Sequence, residues 1–261
     1  SNRPVRTFSI GFNEPEFNEA VHAKAVASHL GTEHTELYVS AEESLAVIPR
    51  LPDIYDEPFA DSSQIPTFLV SQLARSQVTV ALSGDGGDEL FGGYTRYLTG
   101  MELWAKIKRI PRPLRHLGGK MIHSVRPAML DQLARPFLPL LPPALRYKQF
   151  GHKLHKLADV WNAENPDAIY NSLICLWQNP GNVVHGARAI DILESHQRVA
   201  GKLDKFTERM MYLDTLTYLP DDILTKVDRA SMAVSLEVRV PFLDHRIVEF
   251  AWLQPSTLKI A

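Results

Sequence analysis

Two stretches of this sequence carry residue types able to do chemistry. The first is Ser83-Gly84-Asp85-Gly86-Gly87-Asp88-Glu89-Leu90-Phe91-Gly92-Gly93-Tyr94, placed directly after the apolar run Val78 to Leu82. In an open α/β sheet such a position is the carboxyl end of a strand, where ligands bind. Glycines let the backbone approach a ligand closely, and free N–H groups at a helix start suit phosphate. Three carboxylates, Asp85, Asp88 and Glu89, would repel bare phosphate. A divalent cation bridging carboxylate to phosphate removes the conflict, as magnesium does in nucleotide sites. The structural alternative is a Gly-Asp turn capping a helix, its acids at the favourable end of the dipole. Five glycines and three acids within eleven residues exceed what a cap requires.

The second stretch is Leu219-Pro220-Asp221-Asp222-Ile223-Leu224-Thr225-Lys226-Val227-Asp228-Arg229-Ala230-Ser231-Met232, which runs on to Leu236-Glu237-Val238-Arg239-Val240-Pro241-Phe242-Leu243-Asp244. Pro220 suits a helix start. Helical spacing puts Ile223, Leu224, Val227 and Ser231 on one face, with Lys226, Asp228 and Arg229 on or beside polar faces. Alone, this reads as a solvated helix with ordinary ion pairs.

The elements that must position these residues follow from periodicity. Val5–Phe12 and His34–Val39 read as strands, and Val78–Leu82, rich in β-branched residues, as a strand covered on both faces. A helix spans Glu16 to Leu30 and ends at Gly31, placed as its C-cap. Ser40 opens a capping box with Glu43, and its helix should stop around Pro49–Pro52. A further helix runs through Phe68, Leu69 and Leu73. Strand and helix in alternation predict a parallel, helix-covered sheet over residues 1–100. Beyond Gly100 the strand signal fades, and seven prolines between Pro111 and Pro143 break the chain into short helices. Residues 101–205 read as a helical insertion. Residues 206–261 read as a helical part that completes the site, interrupted by the extended Val238–Pro241.

Composition narrows the class. The chain has 261 residues, 45 % hydrophobic and 22 % charged, enough to bury a core without metal or disulfide staples. No apolar run approaches the roughly 20 residues of a membrane span. The single cysteine, Cys175, makes no internal disulfide, and no metal-binding Cys or His spacing occurs. A reducing, cytoplasmic setting is expected. Leu103–Leu157 holds twelve Lys and Arg against one acid, Asp131. These cations alternate with Ile107, Ile110, Leu114, Leu117 and Met121 at helical spacing, which predicts the wet face of packed helices. With no aromatic interleaving, neither nucleic acid nor membrane is the expected partner.

Taken together, Thr7-Phe8-Ser9-Ile10-Gly11-Phe12, Tyr55 to Ser63 (YDEPFADSS), Ser83 to Tyr94 and Leu219 to Asp244 resemble the synthetase domain of the glutamine-dependent asparagine synthetases. The resemblance implies an α/β fold of the adenine-nucleotide-hydrolase (PP-loop ATPase) type and an amide-forming ligase. ATP would adenylylate a carboxylate such as the aspartate side chain, and ammonia derived from glutamine would attack the acyl-adenylate. By similarity, the Ile10 backbone meets adenine, while Ser83 and Gly84 line the nucleotide site. Asp88 matches the position that holds Mg2+ on the pyrophosphate. Asp85 matches an acid beside the acyl-adenylate that manages the ammonia proton, and Asp228 an acid facing the site from the helical half. Two carboxylates held close cannot both ionise freely, which makes one a usable base.

The sequence departs from the family pattern in places. No Ser-Gly-Gly-x-Asp-Ser pyrophosphate loop occurs, Asp85 stands where many asparagine synthetases have Glu, and no glutaminase segment is present. These departures predict a piece of a longer protein that does not complete the reaction alone, with homo-oligomerisation open. An amidotransferase acting on another carboxylate, such as a sugar uronate or peptide precursor, and a non-catalytic nucleotide-binding module are the alternatives. A metal-dependent hydrolase finds no support in the spacing of the ten histidines.

Overall fold

A computed structural model describes residues 3–13, 18–136, 150–175, 181, 183–186, 196 and 199–260. The chain is a mixed α/β protein, mostly helical, with small parallel sheets. It divides into two compact units, residues 1–91 with 214–258, and residues 92–213 with 259–261.

In the first unit, β1 (Arg6–Phe12) and β2 (Glu33–Val39) pair in parallel, from Arg6 opposite Glu33 to Phe12 opposite Val39. Helix α1 (Ala20–Leu30) joins them, and Gly31 ends it at φ 66°, the left-handed conformation glycine adopts without penalty. The expected helix start at Glu16 and Phe17 lies outside the described residues. Gly11 is needed for a different reason. A Cβ there would stand 2.9 Å from Tyr38 Cε1 and 3.0 Å from Ala20 Cβ, so glycine lets α1 begin close against the strand. On the same face His34 lies 2.9 Å (Nδ1) from Thr7 Oγ1 and 3.1 Å (Nε2) from Ser9 Oγ.

The capping box forms as the sequence predicts. Glu43 N donates to Ser40 Oγ at 3.2 Å, and Ser40 N to Glu43 Oε2 at 2.7 Å, at the start of α2 (Ala41–Val47). Ser40→Ala should lower unfolding free energy by about 1 kcal/mol. The urea midpoint should fall with its slope unchanged, and an unmoved midpoint would show that the box contributes nothing. Helix α2 ends at Val47, close to the expected stop at Pro49–Pro52, and new helical segments follow at once. Pro49 and Pro52 each sit in the first turn of a new segment, the 3₁₀ turn Ile48–Arg50 and α3 (Leu51–Tyr55), where a missing N–H costs nothing. In α4 (Gln64–Arg75), Gln64, Phe68, Ser71 and Ala74 point inward, and Phe68 packs with Val47 and Ala230 in the unit's core.

The expected single sheet is corrected. Strand β3 covers only Val80–Leu82, and it pairs in parallel with β4 (Glu237–Arg239), not with β1. Among the described residues two separate two-stranded ribbons result. Nor is β3 covered on both faces, since Val80 is 40 % and Leu82 72 % exposed. Apolar, β-branched content signals a strand but does not say how many neighbours flank it. Helix α5 (Gly87–Phe91) follows β3.

The second unit is helical: α6 (Thr95–Ile107), α7 (Arg112–His123), α8 (Pro127–Ala134), α9 (Phe150–Trp161) and α10 (Pro166–Ile174). Its core joins Ile107, Val160, Ala163 and Ile169, with Leu103, Trp104 and Trp161 against them. Pro111 and Pro127 stand at helix starts, while Pro139, Pro142 and Pro143 lie outside the described residues. Cys175 is a free, exposed thiol.

The reading of the basic block is corrected as well. Ile107 is buried, but Leu114, Leu117 and Met121 are exposed, and it is Arg115 that is buried. The Gly118-Gly119 pair decides which side of α7 packs. A Cβ at Gly119 would stand 2.8 Å from Asn162 Nδ2, and one at Gly118 3.4 Å from Trp161 Cζ3. Arg115 Nη1 then donates to Trp161 O, at the end of α9, at 3.4 Å and to Ala163 O, just past it, at 2.9 Å. A cation at a helix C-terminus is favourably placed.

Candidate active site

The Ser83–Glu89 loop is built on the β3–β4 ladder. Ser83 N donates to Arg239 O at 2.9 Å, extending the pairing one residue past β3. The chain then turns sharply, with Gly87 N donating to Gly84 O at 3.2 Å and Leu90 N to Gly86 O at 3.1 Å. Gly86 has φ 84°, a conformation that disfavours any side chain. The loop rests on the Pro241–Leu243 turn. A Cβ at Gly86 would come 3.2 Å from Leu243 Cδ2, and one at Gly87 3.3 Å from Phe242 Cε2. Phe91 meets Phe242 edge-on at 5.9 Å between ring centres. Two motifs about 150 residues apart thus meet, and the glycines let them close.

Within this loop Ser83 Oγ donates to Asp85 Oδ2, which ties the half-buried Asp85 carboxylate to the strand end. Gly84 lies open, with only Phe242 at 3.9 Å from the place a Cβ would take. Asp88 is exposed in the first turn of α5. Glu89 differs from the sequence reading. It is 1 % exposed, so its carboxylate does not share the loop's open side with the other two.

The second stretch folds as a π-helical segment, Leu219–Leu224, leading into the helix Thr225–Met232. Pro220 lacks the N–H of an ordinary turn, and Thr225 Oγ1 donates to Pro220 O at 3.0 Å. Such π segments are rare and concentrate at functional sites. Val227, Ala230 and Ser231 face the core, while Asp228 and Arg229 are exposed.

Lys226 is the main surprise. Far from lying on a polar face, it is 7 % exposed. Its Nζ donates to Asp61 Oδ2 and to Ser63 Oγ, both at 2.7 Å. Ser63 in turn donates to Asp61 from its backbone N at 2.8 Å and from Oγ at 2.7 Å. Burial would push the Asp61 carboxyl up. The hydrogen bonds from Lys226 and Ser63, with the Lys226 charge, outweigh burial and hold it below its ordinary value. Tyr55 donates to Lys226 O at 3.3 Å and stacks on Phe59 at 4.8 Å. Burial first, then the Asp61 and Asp222 charges, push its phenol up to about 12.

An open cleft of about 480 Å³ is lined by Arg50, Asp53, Asp56, Asp228, Arg229 and Met232. Asp56 takes φ 62°, which Asp tolerates better than most residues, and its Oδ2 lies 3.0 Å from Arg229 Nη1. The lining includes none of Ile10, Ser83, Gly84, Asp85 or Asp88. Ile10 sits in the other ribbon, opposite Leu37. Ser83, Gly84, Asp85 and Asp88 therefore form one group and Asp228 another. Among the described residues no three His, Cys, Asp or Glu side chains converge on a metal position.

Asp61, Ser63 and Lys226 escaped the sequence reading, although a signal was present. Leu219, Ile223, Lys226 and Ala230 recur at the i, i+4, i+7, i+11 spacing of one helix face. A lysine on a core-facing stripe demands a buried acceptor. The Asp61-Ser62-Ser63 triplet supplies it.

The fold and the loop define a parallel-stranded α/β protein that presents a Gly-Asp loop past the end of a strand. The chain belongs to the asparagine synthase family, which it matches over residues 1–261. It is 33 % identical over 260 residues to asparagine synthetase [glutamine-hydrolyzing] 1 of Bacillus subtilis, an alignment covering 98 % of this chain and 37 % of that protein. It is 34 % identical over 240 residues to putative asparagine synthetase [glutamine-hydrolyzing] 2 of Methanocaldococcus jannaschii, covering 91 % of this chain and 42 % of that protein. A putative asparagine synthetase [glutamine-hydrolyzing] of Mycobacterium tuberculosis is 33 % identical over 263 residues, 99 % of this chain and 37 % of that protein. The chain thus spans less than half the length of these relatives.

Proposed function

We propose that this chain is the synthetase part of an ATP-dependent, amide-forming ligase of the PP-loop fold, which makes asparagine from aspartate. An acyl-adenylate forms first, and ammonia released from glutamine elsewhere in the protein then attacks it. The observation that supports this reading most is the Ser83–Asp88 loop. It is anchored by the β3–β4 ladder and held against Phe242 and Leu243, and it keeps Gly84 open and Asp88 exposed.

In this reading Ile10 meets the adenine through its backbone, and Ser83 and Gly84 lie along the nucleotide. Magnesium keeps much of its water and takes one or two protein carboxylates beside the phosphates, so the exposed Asp88 suits it and a three-carboxylate cage is not needed. When bound there, a divalent cation would supply charge neutralisation for the departing pyrophosphate. Asp85, oriented by Ser83 Oγ, accepts the proton released as ammonia attacks the acyl carbon. Asp228, exposed on the helix Thr225–Met232, is assigned to the acceptor side.

The test uses the full-length protein with ATP, magnesium and ammonia, screening aspartate beside a sugar uronate for pyrophosphate and amide. Amide formed from aspartate supports the reading, and amide formed only from the uronate moves the acceptor to another carboxylate. Asp85→Asn should retain much of the pyrophosphate release but slow amide formation by about 10²–10⁴-fold. If the two rates fall in proportion, Asp85 acts before ammonia does and its role as base is wrong.

A further inference from the structure

The helical unit presents a surface that the proposed ligase chemistry does not use. Helix α7 meets the end of α9 through Arg115 and Gly119, and half-buried Ile122 continues that stripe (i, i+4, i+7). At about 100° per residue, Leu114, Leu117 and Met121 (i, i+3, i+7) form a second stripe well round the helix from the first. They are 60 %, 58 % and 63 % exposed. Three aliphatic side chains in a row on a free helix face are unusual for a water-facing surface.

The surrounding charge identifies what suits that face. Among the described residues of Leu103–Leu157 nine Lys and Arg are exposed, including Lys108 before α7 and Arg112 and Lys120 within it, while Arg115 is buried. We propose that this face of α7 docks on an anionic lipid surface, with Leu114, Leu117 and Met121 inserted at the headgroup boundary and the flanking cations against the headgroups. An aliphatic stripe on a helix that also exposes Arg112 and Lys120 follows the pattern of helices that lie in the plane of a bilayer. A nucleic-acid surface would place cations or stacking aromatics where these leucines stand. A protein interface would favour aromatic anchors and deplete lysine. No helix among the described residues is long and apolar enough to cross a membrane.

The experiment is co-sedimentation of the full-length protein with phosphatidylcholine vesicles, with and without phosphatidylglycerol, at low and high salt. Binding should require phosphatidylglycerol and weaken with salt. The double substitution Lys108→Glu/Lys120→Glu should lower the bound fraction at least about tenfold, since each cation near an anionic surface contributes on that scale. Leu117→Glu/Met121→Glu should lower it as far, with the circular dichroism spectrum and the ligase activity on soluble substrates unchanged. Several outcomes overturn the proposal: no binding, equal binding to neutral vesicles, or binding unaffected by Leu117→Glu/Met121→Glu. So does a dimer that this pair of substitutions turns into a monomer, which would assign the stripe to a second copy. Retention on duplex DNA, lost only with the lysine pair, would assign the cations to nucleic acid and overturn it too.

Discussion

Asp88→Asn in the full-length protein should cut magnesium-dependent pyrophosphate release by about 10²–10³-fold while changing nucleotide affinity far less. The asymmetry follows from where charge develops. In the proposed reaction a bound triphosphate would be neutralised in the ground state by its own magnesium and by solvent. In the transition state, negative charge builds on the departing pyrophosphate, and interactions that strengthen there act on rate more than on binding. Asp88 is the exposed carboxylate of the loop, in the first turn of α5, whereas Glu89 is buried. Asparagine has the same size but cannot hold a divalent cation as well. The measurement is pyrophosphate release across a magnesium titration, with nucleotide binding followed separately. If release at limiting magnesium is unchanged, Asp88 does not hold the metal.

Lys226→Met is expected to lower stability by about 3 kcal/mol, because breaking a buried pair leaves its partner without compensation. The ammonium bridges Asp61 and Ser63 across 165 residues of sequence, and its side chain is 9 % exposed against 17 % for Asp61. Methionine fills similar volume but strands the carboxylate. The effect has a defined pH dependence. The Asp61 carboxyl is held below its ordinary value in the folded protein. Its contribution is therefore present above the unfolded carboxyl range, near pH 4, and is lost as pH falls through the lower folded value. The gap between the native chain and Lys226→Met should be widest near neutrality and narrow in acid. Denaturant midpoints at neutral pH and below pH 4 check this. A gap that does not change with pH would show that packing, rather than the charge pair, carries the loss.

Local features were legible because their causes are local. The capping box needs only Ser40 and Glu43 three residues apart, and the left-handed end of α1 needs only Gly31. Strands β1, β2 and β3 fall on the runs read as strands, and β3 falls in the β-branched, apolar one. The four motifs carried family membership, since residue types at fixed spacing survive in a one-dimensional record.

Which groups meet was not written at that level. Nothing near Val80–Leu82 indicates that Glu237–Arg239 is its ladder partner, or that β1 keeps to a separate ribbon. Pairing is a long-range choice, made by whichever edge satisfies the backbone donors and acceptors. The same holds for charge. Lys226 looks solvated until Asp61 and Ser63 close over it, and Arg115 looks like a wet cation until two glycines bring α9 within reach. Helical periodicity names two candidate faces for α7. Close approach at Gly118 and Gly119 selects the buried one, because packing rewards contact distance, and that leaves the leucines facing outward.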